Sequence, residues 1–216
     1  EADHAAALRI DRSEDVTLRG ARVHGSPDGN HTNDGMGVVA LDSRRIRIEA
    51  CRFHDLKTAT SIGRAVGVVV RGNEYRDLRS DGINVANASD VLVEGNRMTR
   101  FHTAQHLGDH PDFIQMWNDG QSGPMRDIVI RANTLRQGDG DPVQGIFVEG
   151  SITRERHASN RPTTTGLRIE NNTIETGAAQ GIWVFDAEAV SITGNTVTAP
   201  AAARLVPSIR NERRRR

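Results

Sequence analysis

The residues best suited to chemistry gather in one stretch, Phe101–Gln115, which reads FHTAQHLGDHPDFIQ and holds His102, His106, Asp109, His110 and Asp112. Pro111 stiffens the entry to the segment that follows, so His110, Asp112 and Gln115 are expected to be held firmly. A second acid, Asp81, stands in SDGIN where Asp112 stands in PDFIQ. Stacked one strand apart, two such carboxylates raise each other's pKa and supply an acid beside a base. Three chemistries use these residues. In lyase or epimerase chemistry on a uronic acid, His110 removes the proton next to a carboxylate neutralised by Gln115, Asn84 or a loop arginine, Arg154 or Arg156. In glycoside hydrolysis, Asp81 and Asp112 form the carboxylate pair. In the third, the cluster only binds. It could take a sugar, or Ca²⁺ at Asp81, Asp109 and Asp112, since calcium prefers clustered oxygens. The ligand order His106, Asp109, His110, Asp112 matches no familiar closed zinc set. The cofactor expectation is therefore none, or Ca²⁺.

What positions these residues is a nine-residue pattern that returns seven times: DVTLRGARV, RIRIEACRF, GVVVRGNEY, DVLVEGNRM, DIVIRANTL, GLRIENNTI and AVSITGNTV. Its seventh position falls at Ala21, Cys51, Asn73, Asn96, Asn133, Asn172 and Asn195, at intervals of 30, 22, 23, 37, 39 and 23 residues. Short β-branched alternations repeated at this period, with no helical stripe, mean a stacked β-solenoid. A further short strand precedes the repeats at Gly37–Ala40, Gly82–Val85, Phe113–Met116, Gly145–Val148 and Gly181–Val184. The expected fold is all-β, with three strands per turn as in a right-handed single-stranded parallel β-helix, in about seven to eight coils. The asparagine column would form an inward amide ladder. Tyr75 takes a core position and is removed from the list of catalytic acids.

Two further expectations concern the first strand of each coil. Alternation puts Ile83, Val85, Ile114, Met116, Ile146, Val148, Ile182 and Val184 inward. Asn84, Gln115, Trp117, Phe147, Glu149, Trp183 and Phe185 then face outward. The chain has two Trp, one Tyr and five Phe, and four of these rings fall on that face. A concentrated exposed stripe of rings makes a binding surface, here for a sugar polymer or for a second chain, as in a homotrimer. The long inserts His24–Met36, Thr99–Asp112, and those after Trp117 and Glu149, flank the same sheet, placing a cleft over Gln115. His106 is expected at its rim.

Bulk properties bound the rest. The chain has 216 residues, zero formal net charge and one cysteine, Cys51. No nucleic-acid footprint, membrane span or intrachain disulfide framework is expected. Lysine and arginine total 28, of which only Lys57 is lysine. Residues 1–216 read as one β-helix domain with uncapped ends, part of a longer chain or covered by neighbouring domains, and 211–216 as a disordered basic tail.

The GNRM at Gly95–Met98 and GNTV at Gly194–Val197 resemble repeats of the pectate-lyase-like right-handed parallel β-helix superfamily. Its members include polysaccharide lyases, mannuronan C5-epimerases and phage tailspike depolymerases. The resemblance covers residues 7–210. It implies a polysaccharide partner and an extracellular or virion-associated location. The epimerases carry an Asp-Pro-His-Asp/Glu run; this chain has Asp109-His110-Pro111-Asp112, the same residue types in another order. Carried over, His110 is the base and Asp112 its supporting acid. The family's tyrosine acid has no counterpart, and its basic lysine would have to be Lys57, two coils away.

Overall fold

The computed structural model describes residues 6–118, 124–149 and 164–212. The chain winds repeatedly through three parallel sheets. The first sheet contains Ala6–Asp11, Met36–Leu41, Thr58–Gly63, Ile83–Ala86, Asp112–Trp117, Gln144–Glu149, Gln180–Phe185 and Ser208–Glu212. The second contains Thr17–Arg19, Arg44–Glu49, Val66–Arg71, Ser89–Glu94, Met125–Arg131 and Thr164–Glu170, followed by Ala187–Glu188 and Ser191–Thr193. The third contains Arg22–His24, Arg52–Leu56, Glu74–Leu78, Arg97–Thr99, Thr134–Arg136, Thr173–Glu175 and Thr196–Thr198. This is a right-handed parallel β-helix, as the repeat predicts. The first-sheet strand Thr58–Gly63 has no counterpart in the sequence reading, because TATSIG lacks the glycine-plus-apolar pattern of its neighbours. Asn211 and Glu212 belong to the last strand and not to the basic tail.

Each coil owes its shape to one bend. The sixth position of the repeat adopts a left-handed backbone in every copy: Gly20, Ala50, Gly72, Gly95, Ala132, Asn171 and Gly194 have φ between 52° and 67°. Glycine reaches that region without penalty, which explains the recurrent Gly-Asn pair; the alanines are held there by their neighbours. The bend aims the seventh residue inward, and the asparagines bond coil to coil. The Oδ1 of Asn96 accepts from the backbone N–H and the side-chain Nδ2 of Asn73, both at 3.0 Å. Asn133, Asn172 and Asn195 repeat the pattern at 2.9–3.0 Å. Asn195, at the last bend of the ladder, is half-buried and not enclosed as expected.

The eight first-strand apolar residues expected to face inward are all fully buried. Each such side chain stabilises the fold by about 1.5–3 kcal/mol. Tyr75 is buried against Phe53, ring centroids 4.9 Å apart, and burial pushes its hydroxyl pKa up. Among the described residues no helix is long and apolar enough to cross a membrane.

Candidate active site

The first-sheet strands do not alternate cleanly at their entry, and this builds the site. A Cβ placed on Gly82 would lie 2.5 Å from Met98 Sδ, and one on Gly145 would lie 3.1 Å from Ile174 Cγ2, so both positions face the core. Phe113 takes the same place in the next coil, buried edge-on to Phe101 with centroids 5.0 Å apart. The residues that follow, Ile83, Ile114 and Ile146, also point inward. With two successive inward residues, the one before them lands on the outer side. Asp112 is in register with Gln144, and the pairing of Ile83 with Ile114 puts Asp81 opposite Asp112. Asp81, Asp112 and Gln144 thus form a polar column beside the outward column Asn84, Gln115, Phe147, Trp183.

Within this column the acids are tied together. Asp81 Oδ1 accepts the backbone N–H of Asp112 at 3.1 Å, and Asp81 Oδ2 accepts Asn84 Nδ2 at 3.2 Å. Asp112 Oδ2 lies 3.0 Å from His110 Nδ1, whose Nε2 is 2.7 Å from Gln144 Nε2. With Gln144 donating, His110 Nε2 accepts and Nδ1 carries the proton toward Asp112; with the amide turned over, Gln144 Oε1 accepts from a protonated ring. Asp112 is fully buried, whereas the His110 side chain is 57% exposed. Burial, reinforced by the Asp112 charge, pushes the Asp81 carboxyl up to about 8. Burial likewise lifts Asp112 to about 6, against the opposing pull of His110. The Asp112 hydrogen bond, in turn, raises His110. When protonated, His110 opposes the rise of both acids.

Three buried acceptors in this small region have no hydrogen-bond partner: Asn84 Oδ1, Asp112 Oδ1 and Gln144 Oε1. An unpaired buried acceptor costs about 1–3 kcal/mol, so a set of three on two adjacent columns is a demand for donors. Beside them lies a concavity of about 700 Å³, bordered by Asp109, His110, Gln144, Gln180, Arg204 and Leu205.

The other expected site residues separate into groups. Gln115 and Trp117 are half-exposed on the outer face, as are Phe147, Glu149 and Trp183. The rings interlock: Phe185 lies 5.9 Å from both Phe147 and Trp183, and His110 stands edge-on to Phe147 at 5.9 Å. Trp183 is partly covered, with the Arg210 guanidinium 4.6 Å above its ring and its Nε1–H donating to Ser208 Oγ. His106 lies exposed on the short 3₁₀ turn Gln105–Leu107. Arg154 and Arg156 lie outside the described residues.

Asp109 does not join the other two acids. Its Oδ2 is 2.9 Å from the Nε of Arg79, a side chain only 1% exposed, and its Oδ1 is 3.9 Å from Lys57 Nζ. Arg79 also donates to the carbonyl of Thr32 at 2.7 Å, clamping the His24–Met36 loop to the loop carrying His110. Among the described residues no group of three His, Cys, Asp or Glu is gathered for a metal ion. Sequence reasoning missed Arg79. Its one available signal was a lone arginine directly after the core residue Leu78. Lys57, two coils from Asp112 along the solenoid, is brought near by the returning loop.

A family model described as a right handed beta helix region matches residues 6–206. Alpha-1,3-galactosidase A of Streptomyces avermitilis is 31% identical over 130 residues. That match takes in 60% of this chain and 19% of the relative, so it spans about a fifth of that protein's length. The solved structure of the Streptococcus pneumoniae surface protein and adhesin PfbA superposes with a TM-score of 0.50 at 16% identity, covering 90% of this chain and 61% of that one. At that identity the likeness is one of fold.

Proposed function

The chain belongs to the right-handed β-helix family, and on that premise we propose that it hydrolyses a glycosidic bond, using Asp81 and Asp112 as its acid–base pair. The observation that carries this reading is the stacking of two buried carboxylates, bound through the Asp112 amide, with raised and separated pKa values. Near neutral pH Asp81 keeps its proton and Asp112 has lost its own. Asp81 then gives its proton to the glycosidic oxygen as the bond to the anomeric carbon breaks, and Asp112 takes the proton of the attacking water. A half-turn of the Asn84 amide would let its oxygen accept the Asp81 hydroxyl, satisfying both groups in the protonated state. The unpartnered acceptors that remain, of Asp112 and Gln144, suit the hydroxyls of a sugar. The rings of Phe147 and Trp183 offer faces for its apolar side. The name of the Streptomyces relative puts a terminal α-galactoside first among substrates.

A second reading is supported by His110. Its contact with Asp112 and its accepting Nε2 make it a base for proton abstraction from a uronic acid, the lyase or epimerase chemistry of pectate-lyase-like proteins. That chemistry requires cations to neutralise the substrate carboxylate, for which Arg204 borders the concavity beside His110, whereas the carboxylate pair that hydrolysis requires is already assembled. Hydrolysis is therefore the stronger reading. An extracellular setting follows from either, since both act on polymeric glycan. The test is a panel of neutral and acidic glycans assayed for reducing ends and for ultraviolet absorbance of an unsaturated product. Reducing ends alone support hydrolysis and absorbance supports elimination. Uptake of solvent deuterium into a uronate with neither signal supports epimerisation, and binding without any of the three would make this a glycan-attachment protein.

A further inference from the structure

The outer face of the third sheet carries a second concavity, about 510 Å³, formed by different strands from those bearing the acid pair. Two register columns flank it. One runs Arg22, Arg52, Glu74, Arg97, Thr134; the other runs His24, His54, Arg76, Thr99, Arg136. From the second coil to the fifth, the arginines change sides at each step: Arg52, then Arg76, then Arg97, then Arg136. Columns two residues apart stand about 6.5–7 Å from each other, and successive coils about 4.8 Å. Arg52 pairs with Glu74 at 3.3 Å and Arg76 with Asp77. Arg22, Arg97 and Arg136 have no carboxylate partner among the described residues. Glu74 is the single acid lining the concavity, against five arginines. The floor between the two columns is sheet backbone, because Phe53, Tyr75 and Met98 turn their side chains into the core.

We propose that this groove binds an extended anionic glycan, with one carboxylate or sulfate per sugar. A chain whose successive sugars turn over presents its charges to alternate sides at each step, matching the staggered guanidiniums. Arginine's planar fork suits bidentate recognition of such groups. Nucleic acid is the poorer occupant, because the chain's zero net charge provides no long-range field to hold a phosphate backbone. The first-sheet site acts on a glycan, whereas this groove would hold the protein on an acidic matrix.

The proposal is tested with the full chain on immobilised polygalacturonate, heparin and single-stranded polythymidylate at low and high salt. The expected result is salt-sensitive retention on at least one of the two glycans. Arg97→Glu with Arg136→Glu should weaken it about tenfold or more, with the far-ultraviolet circular dichroism at the assay temperature unchanged. Arg97→Lys with Arg136→Lys should weaken it less, because charge is kept and only the fork is lost. Asp112→Asn should leave retention as in the wild type, which keeps this groove distinct from the first-sheet site. Unchanged binding in the double Glu variant, absence of retention on both glycans, or retention on polythymidylate alone would overturn the proposal.

Discussion

The backbone amide of Asp112 donates to the carboxylate of Asp81 on the preceding coil at 3.1 Å, joining two buried acids across one turn of the solenoid. The arrangement sets a pH dependence for stability and, under the proposed hydrolysis, for turnover. It arises because the entry to each first-sheet strand carries two consecutive inward residues, which turns the acid before them toward the outer face.

The first prediction concerns stability. Both acids have folded pKa values raised above the ordinary carboxylate range, so between roughly pH 4 and 8 the native chain holds protons that the unfolded chain has released. Stability therefore falls as pH rises through that window. Asp81→Asn should remove most of the slope and raise the melting temperature at pH 8, by about 2–4 °C for each kcal/mol recovered. Thermal melts of both proteins from pH 4 to 9 check this; parallel curves would show that Asp81 ionises normally.

Activity should be bell-shaped. Hydrolysis needs Asp112 ionised and Asp81 protonated, so turnover should rise near pH 6 and fall near pH 8, limbs that belong to the coupled pair. His110→Gln should move the acidic limb upward, because Asp112 loses the partner that favours its charged form. A profile with unmoved limbs in that variant would show that His110 does not act on Asp112.

Arg79 should prove structurally expensive to replace. Removing one partner of a buried ion pair strands the other, at a cost of about 3–5 kcal/mol. Arg79→Met should therefore destabilise strongly, and Arg79→Met with Asp109→Leu should recover part of the loss. A double-mutant cycle by chemical denaturation measures the coupling, and additive effects would mean that Asp109 is not what Arg79 holds.

In the ladder, Asn133→Ala deprives the Asn96 backbone N–H and side-chain amide of their acceptor and opens the carbonyl of Val93. Each orphaned group costs about 1–3 kcal/mol. The melting temperature should drop while the pH limbs of turnover stay in place, which separates the structural amide column from the catalytic one.

Where the chain spells its geometry in a period, the sequence is readable. The Gly-Asn bends, the inward isoleucines and valines, and the alignment of SDGIN with PDFIQ follow from repeat spacing, because stacking turns sequence period into adjacency. Features built by chain that leaves the period are not readable in this way. Arg79 meets Asp109, and Lys57 approaches it, only because the Thr99–Asp112 insert folds back over earlier coils, and no spacing rule encodes that return. Asp109 therefore read as a companion of Asp112, although the structure gives it to Arg79. The staggered arginines of the third sheet were present in the repeats, at the eighth position in Arg22, Arg52 and Arg97. They passed unremarked because zero net charge hides a local stripe.

The most direct test of the central claim compares wild type with Asp112→Asn on α-galactoside-terminated and uronate oligosaccharides, following reducing ends and ultraviolet absorbance together. Hydrolysis by the Asp81–Asp112 pair predicts new reducing ends without absorbance, reduced by about 10²–10⁴-fold in the variant. An absorbing unsaturated product, or undiminished release by Asp112→Asn, would contradict it.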